Sequence, residues 1–496
     1  MENSKRYREL REIINRYTYA SNIMSFDEAT VCPKLDKEYS MECSDYFMMR
    51  VIEIQTGDEY YNLLAELINN PEDLTEVELL AVKKEYKDIT KDRIIPNELR
   101  FKLMECASKT TLLWQQARES MDFSSFEDSL ASLISLNKEV IKLEEGKYHG
   151  YDVILTDMEP DFSSKEYDSF FNRLECEIVP LVKKILALPK KYNTKIRSMK
   201  FSIPKQREIT KLISKHMGYT DMNGYIGETI HPFTIGINTN DVRTTTSYDE
   251  GMLFSNLFSV MHEVGHATYE LQVDKKYNNT VLSALTSMGI HESQSRFYEN
   301  YLGRSREFVE WLYPILKDLY PNELKEFTLD DIYYYINDVE AQPRRTEADE
   351  LTYPLHILIR YKVEKKLFNG EIEPKDIEAT FNSLMKEYLG IEPTDKRSGC
   401  YQDIHWCSGF GYFPTYALGS AISAMCYHYM AKDIDIKADM RRGDFSNINK
   451  WLGEHIHRYG MSLTNLELIR NAFGEDFNPD YYISYLKNKF KSIYNL

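Results

Sequence analysis

The chain has 496 residues, 43% apolar and 13% aromatic, with a formal net charge of −17. That apolar content supports a large folded core and excludes a disordered chain, while the acidic balance argues against nucleic acid, whose phosphates reward basic surfaces. No apolar run is long enough to span a bilayer, and the N-terminus lacks a signal-peptide pattern. Seven scattered cysteines without C-x-x-C spacing read as free thiols of a reducing, cytoplasmic compartment.

Met1-Glu2-Asn3-Ser4-Lys5-Arg6 runs into a charged amphipathic helix. Helical periodicity then covers 76–94, ending before Pro96, which disfavours helical geometry in the residue ahead of it. Further helices are expected over 97–117 and 125–145, the latter on the spacing of Leu130, Leu133, Ile134, Val140 and Leu143. Glu159-Pro160-Asp161 breaks the chain before a helix over 164–188, which Pro180 should kink or split. From Gly218 to Thr246 glycines and β-branched residues cluster, and only 231–246 reads as strand. There Phe233, Ile235 and Ile237 alternate with Thr234, Gly236 and Asn238, the pattern of a small hairpin edge. Helical patterns return from Glu250 to the C-terminus. With no repeats and no flexible linker, the expectation is one domain, 1–496, mainly α, with a cleft and a small β element.

The chemistry concentrates in His262-Glu263-Val264-Gly265-His266. Ser247-Tyr248-Asp249-Glu250 reads as a capping box that opens its helix. On a helix, residues four apart share a face, so His262 and His266 can both present an imidazole nitrogen to one zinc ion. Glu263, one residue along, can take a proton from an attacking water. The pattern implies metal-assisted peptide hydrolysis. A third ligand is expected from a second helix starting near Ser283, in His291-Glu292-Ser293-Gln294-Ser295-Arg296. Glu292 is favoured because this polar run interrupts an apolar helix and needs internal partners. His291 is a rival ligand, and a Glu292–Arg296 surface salt bridge is the bland alternative. Cys400 and Cys407 read as packing residues, and His149, His216, His356 and His428 as histidines without a functional role.

Six elements in order resemble the thermostable carboxypeptidase (Taq-type) family of zinc metallopeptidases. They are His231-Pro232-Phe233, Asp241-Val242-Arg243-Thr244-Thr245, the H-E-x-x-H at 262, the H-E-S-Q at 291, Arg345-Thr346-Glu347-Ala348-Asp349, and Gly399-Cys400-Tyr401-Gln402-Asp403-Ile404-His405-Trp406. The resemblance implies a large two-lobed helical body with a long deep groove, a homodimer, and one zinc (or cobalt) per chain on His262, His266 and Glu292. It also implies sequential release of amino acids from free peptide C-termini with broad specificity, stopping at proline. Arg344 stands where relatives carry isoleucine or asparagine, and Phe26-Asp27 where they carry Trp-Asp.

An exopeptidase must bind a terminal carboxylate, a task suited to the planar fork of arginine. Arg345 is the first choice by resemblance and Arg243 the second, against structural pairing with Asp241, Glu347 or Asp349. His231, His405 and Tyr416 are candidate donors to the tetrahedral oxyanion. Asp241, Asp349, Gln402 and Asp403 are expected to support these groups, Asp241 or Asp403 by orienting a metal-bound histidine. Two rivals are an endo-acting zinc oligopeptidase and a di-iron carboxylate protein, the latter because Glu454-His455-Ile456-His457 supplies a second E-x-x-H.

Overall fold

A computed structural model describes residues 2–496. Four helices open the chain: α1 (Glu2–Thr30), α2 (Lys37–Thr56), α3 (Asp58–Asn69) and α4 (Glu76–Asp92). They enclose a small core of Tyr7, Leu10, Ile14, Val51, Leu64 and Leu67. Glu85 is buried among them and accepts from Tyr7 Oη (2.8 Å) and Arg11 Nη1 (3.2 Å), so its charge is matched.

The other helices surround a second, far larger core. They are α5 (Asn97–Ser120), α6 (Ser124–Glu144), α7 (Tyr151–Met158), α8 (Ser164–Leu186), α9 (Ile203–His216), α10 (Leu253–Leu271), α11 (Met288–Arg296) and α12 (Arg306–Leu319). Then follow α13 (Leu329–Ile336), α14 (Tyr353–Phe368), α15 (Ile377–Leu389), α16 (Phe413–Asp433), α17 (Ile436–Arg442), α18 (Ser446–His455), α19 (Asn465–Phe473) and α20 (Asp480–Tyr494). Helix α4 serves both cores, Val82 the small one and Ala81 the large one. The class is mainly α. No helix among the described residues is long and apolar enough to cross a membrane.

Local sequence accounts for most helix ends. Thr75 and Glu78 form a capping box on α4. Helix α8 runs through Pro180 without splitting. Pro180 and Cys176, whose carbonyl loses its helical partner, both lie on the solvent side, where water can satisfy that carbonyl. The expected capping box at Ser247–Glu250 does not form. Helix α10 begins later, at Leu253, while Asp249 Oδ1 accepts from Gly251 N (2.7 Å) in the preceding turn. Similarly, Val281–Ser283 is only a 3-10 turn, and α11 starts at Met288 under a Ser287 cap.

The β element has three strands in the order β1-β3-β2: β1 (Gly224–Glu228), β2 (Thr234–Asn238) and β3 (Asp241–Thr246). The hairpin of β2 and β3 is antiparallel with an irregularity between Gly236 and Asn238, and β1 joins β3 in parallel. The sequence Gly-Tyr-Ile-Gly-Glu of β1 has two glycines and no apolar alternation, so nothing in its pattern marks it as a strand. Helix α1 docks on β2, where Asn22 Nδ2 donates to Gly236 O (2.9 Å), and Phe26 packs edge-on to Phe233 just ahead of the strand.

Candidate metal centre

Helices α10 and α11 lie side by side, with Gly265 at their closest approach. A Cβ there would lie 3.0 Å from Ser295 Cα. This contact brings His262, His266 and Glu292 together, their ligand atoms all within 4.8 Å of one another. The Nε2 atoms of His262 and His266 stand 3.6 Å and 3.5 Å from Glu292 Oε2. Two Nε2 atoms and a carboxylate oxygen at such separations fit a tetrahedral zinc site, whose ~2.0–2.1 Å bonds set its ligands about 3.3 Å apart.

Among the described residues, His262 and Glu292 are hydrogen-bonded from behind, whereas the buried Nδ1 of His266 has no hydrogen-bond partner. His262 Nδ1 faces Glu299 Oε2 at 3.0 Å, so the proton belongs on Nδ1 and the Nε2 lone pair points to Glu292. The ring of His266 stacks on that of His291 at 4.0 Å. His291, the rival third ligand, turns its Nε2 to Glu270 Oε1 at 3.3 Å and lies outside the group. Glu292 divides its carboxylate, Oε2 toward the histidines and Oε1 to Arg296 Nε at 2.7 Å. The salt bridge and the ligand geometry therefore coexist. Glu159, fully buried, accepts from Gly289 N and from Asn465 Nδ2 (3.0 Å), anchoring the first turn of α11.

Electrostatics follow from burial and these partners. Burial would lower the pKa of His262, but Glu292, Glu299 and Glu263 together raise it. Burial and neighbouring His291 take His266 down to about 3, keeping it a neutral donor. Against burial, Arg296 and His262 hold Glu292 well below the carboxylate range and bring Glu299 down to about 2. Burial pushes Glu263 up, toward what a general base requires. Thr234, at the start of strand β2, fixes this carboxyl, donating from Oγ1 to Glu263 Oε2 at 2.6 Å.

A second constellation lies behind the segments around Arg345 and Asp403. Arg345 Nε donates to Asp403 Oδ1 (3.0 Å) and Nη1 to Tyr353 Oη (3.1 Å). The other Asp403 oxygen takes Arg360 Nε at 2.7 Å. Against burial, these two arginines hold Asp403 well below its usual range. Gln402 Oε1 accepts from Arg345 N (2.7 Å) while its amide donates to the carbonyls of Pro343, Ser398 and Gly399. Asp349 accepts from Leu351 N, Thr352 N and Thr352 Oγ1, which sets the start of α14. The guanidinium of Arg345 lies 4.9 Å over the ring of Tyr416, whose Oη meets His405 Nε2 at 3.1 Å. Burial and Arg345 lower His405 to about 4, so this ring is neutral.

Other expected residues fall elsewhere. Asp241 pairs with Arg243 (Oδ2 to Nη2, 2.9 Å) and does not reach a metal-site histidine; Asp403 is likewise spent on arginines. Arg243 thus takes the structural pairing. His231 is exposed on the β1–β2 loop. The di-iron arrangement does not assemble: Glu454 is exposed, and His457 is buried between Gln272 Oε1 and Gln294 Oε1, at 2.7 Å each. Sequence reading missed Glu299, Thr234, Tyr353 and Arg360. Only Glu299 left a trace, since 292, 296 and 299 repeat on one helical face.

A sequence profile of the carboxypeptidase Taq (M32) metallopeptidases matches residues 6–490. The chain belongs to this family. Carboxypeptidase 1 of Bacillus subtilis is 37% identical over 494 residues, 99% of each chain. The M32 carboxypeptidase structure from Deinococcus radiodurans R1 superposes with a TM-score of 0.95 at 27% identity, covering 100% of both chains. A carboxypeptidase structure from Pyrococcus furiosus gives 0.93 at 33% identity, over 99% of each. As an M32 member the protein is a metallocarboxypeptidase, a hydrolase of peptides that uses a divalent metal.

Proposed function

We propose that this M32 enzyme is zinc-dependent and releases amino acids one at a time from free peptide C-termini, with broad side-chain tolerance and a stop at proline. The observation that carries the reading is the convergence of His262 Nε2 and His266 Nε2 on Glu292 Oε2, with Glu263 next in sequence. One zinc per chain would be held by these three residues, with cobalt as a functional substitute, and when bound it supplies Lewis acidity to the scissile carbonyl and the attacking water. Glu263 takes the proton from that water and returns it to the departing amine. Thr234 keeps its carboxylate in place. Arg345 binds the terminal carboxylate, and His405 and Tyr416 border that end of the substrate. Of the candidate oxyanion donors, Tyr416 is favoured, because its ring lies under the Arg345 guanidinium at 4.9 Å and its hydroxyl is oriented by His405 Nε2 at 3.1 Å.

The decisive experiment follows amino-acid release from a blocked peptide with a free C-terminus. Glu263→Gln should lose about 10³-fold in kcat, within the range for a general base, and keep one zinc. An active variant, or a metal-loaded wild type that releases nothing, overturns the mechanism. C-terminal amidation should abolish most wild-type turnover; undiminished cleavage of the amide would instead favour an endo-acting oligopeptidase.

We further propose that residues 1–496 act as one catalytic unit, that it works in the cytoplasm, as its seven free cysteines suit, and that it is a homodimer. Light scattering on the eluted protein should give twice the chain mass of 58.4 kDa.

A further inference from the structure

The metal-binding glutamate and Arg345 come from distant segments, yet one side chain lies between the arginine that holds Glu292 and Arg345 itself. Tyr353, the first residue of α14, is buried, with 7% of its surface exposed. Its ring carries the guanidinium of Arg296 at 4.3 Å, and Arg296 Nε holds Glu292 Oε1 at 2.7 Å. Its hydroxyl accepts from Arg345 Nη1 at 3.1 Å. The path Glu292–Arg296–Tyr353–Arg345 is therefore continuous, and rigid at its centre, because an aromatic ring has no internal rotation that changes the distance from face to hydroxyl. Tyr353 is in turn fixed at its backbone, where its N–H donates to Asp349 O at 2.9 Å.

Arg345 needs such a stop. A guanidinium on a long stem otherwise samples many rotamers, and ordering it costs entropy. Asp403 fixes Nε and Tyr353 fixes Nη1. Among the described residues the third nitrogen, Nη2, makes no side-chain hydrogen bond, so the two anchors determine where it is presented. We propose that Tyr353 is a positioning residue that sets the spacing between the carboxylate-binding arginine and the metal-binding glutamate, and thereby makes the enzyme measure one residue from the C-terminus. This rests on the reading above, that Arg345 receives the terminal carboxylate.

The test compares a blocked peptide acid with its C-terminal amide on wild type, Tyr353→Phe and Arg345→Met, each with one zinc and native circular dichroism. Tyr353→Phe keeps the ring under Arg296 and removes only the acceptor for Arg345. It should raise KM for the acid about ten-fold, the effect of losing one hydrogen bond to a charged group. Its kcat and zinc affinity should change less than three-fold, and acid-over-amide preference should fall with the KM. A merely structural role would leave that preference unmoved. Arg345→Met should abolish the preference. If Arg345→Met abolishes it and Tyr353→Phe keeps it at the wild-type value, the spacer role is wrong. If Arg345→Met itself leaves the preference intact, the carboxylate-receptor reading fails and the spacer role goes with it. Should Tyr353→Phe not fold, Tyr353→His, a ring of different reach, must shift the same preference for the proposal to stand.

Discussion

The two ends of the site are built with opposite charge imbalance. Around His262 and His266, the carboxylates of Glu292 and Glu299 meet the guanidiniums of Arg296 and Arg304, and the carboxyl of Glu263 meets the hydroxyl of Thr234 rather than a cation. Around Arg345, two guanidiniums share the one carboxylate of Asp403. The first region is short of positive charge and suits a cation; the second is short of negative charge and suits an anion. Buried charges are tolerated only when paired, so each region is left one partner short, and the missing signs are those that the proposed zinc and the proposed terminal carboxylate would supply.

The contrast can be broken most strongly at its positive end. Replacing Arg345 with methionine leaves Asp403 to Arg360 alone and should cut kcat/KM on peptide acids by about 10²-fold, typical of truncating one partner of a buried charge pair. Initial rates at low substrate measure this, and a wild-type rate would mean the clamp is purely structural. At the negative end, Glu299→Gln keeps an acceptor for His262 Nδ1 but removes its charge. Zinc affinity, read by chelator competition, should weaken by about 10- to 100-fold, while KM stays near wild type. Unchanged affinity would show that His262 needs no charged support.

The smallest effect on turnover, and the sharpest on stability, concerns a carboxyl behind the clamp. Glu364 is fully buried, accepts from Tyr151 Oη and Gly411 N, and is pushed by burial up to about 7. Because the folded state holds this proton more tightly than the unfolded chain, its contribution is complete below about pH 4.5 and is lost as pH rises to about 7. The loss is about 3 kcal/mol over that window. Glu364→Gln should therefore flatten the fall in melting temperature between pH 5 and 7.5 relative to wild type; parallel curves would refute the assignment.

How far the sequence foretold this site depends on how local each signal is. His262 and His266 are legible because helical spacing alone puts them on one face, and Glu292 because a polar run in an apolar helix needs an internal cause. The long helices are legible from periodicity. Strand β1 is not, since its identity comes from pairing with β3 rather than from its own residues. Tyr353 reads as the start of a helix and Arg360 as a residue in its middle, and only the fold brings them to Arg345, whose sequence neighbours gave no hint of them. Arg243 misleads in the other direction: a partner two residues away, Asp241, satisfies it locally.

The small core of α1–α4 has a consequence for how the enzyme fails. It buries far fewer side chains than the main core, so it is the natural first cooperative unit to open on heating. Yet the far end of α1 supports β2 through Asn22 and Phe26, and β2 carries Thr234, which holds Glu263. The working lifetime of the catalyst at elevated temperature is then governed by its weakest bundle, far from the chemistry, and consolidating the packing of α1–α4 is the shortest route to a more durable enzyme.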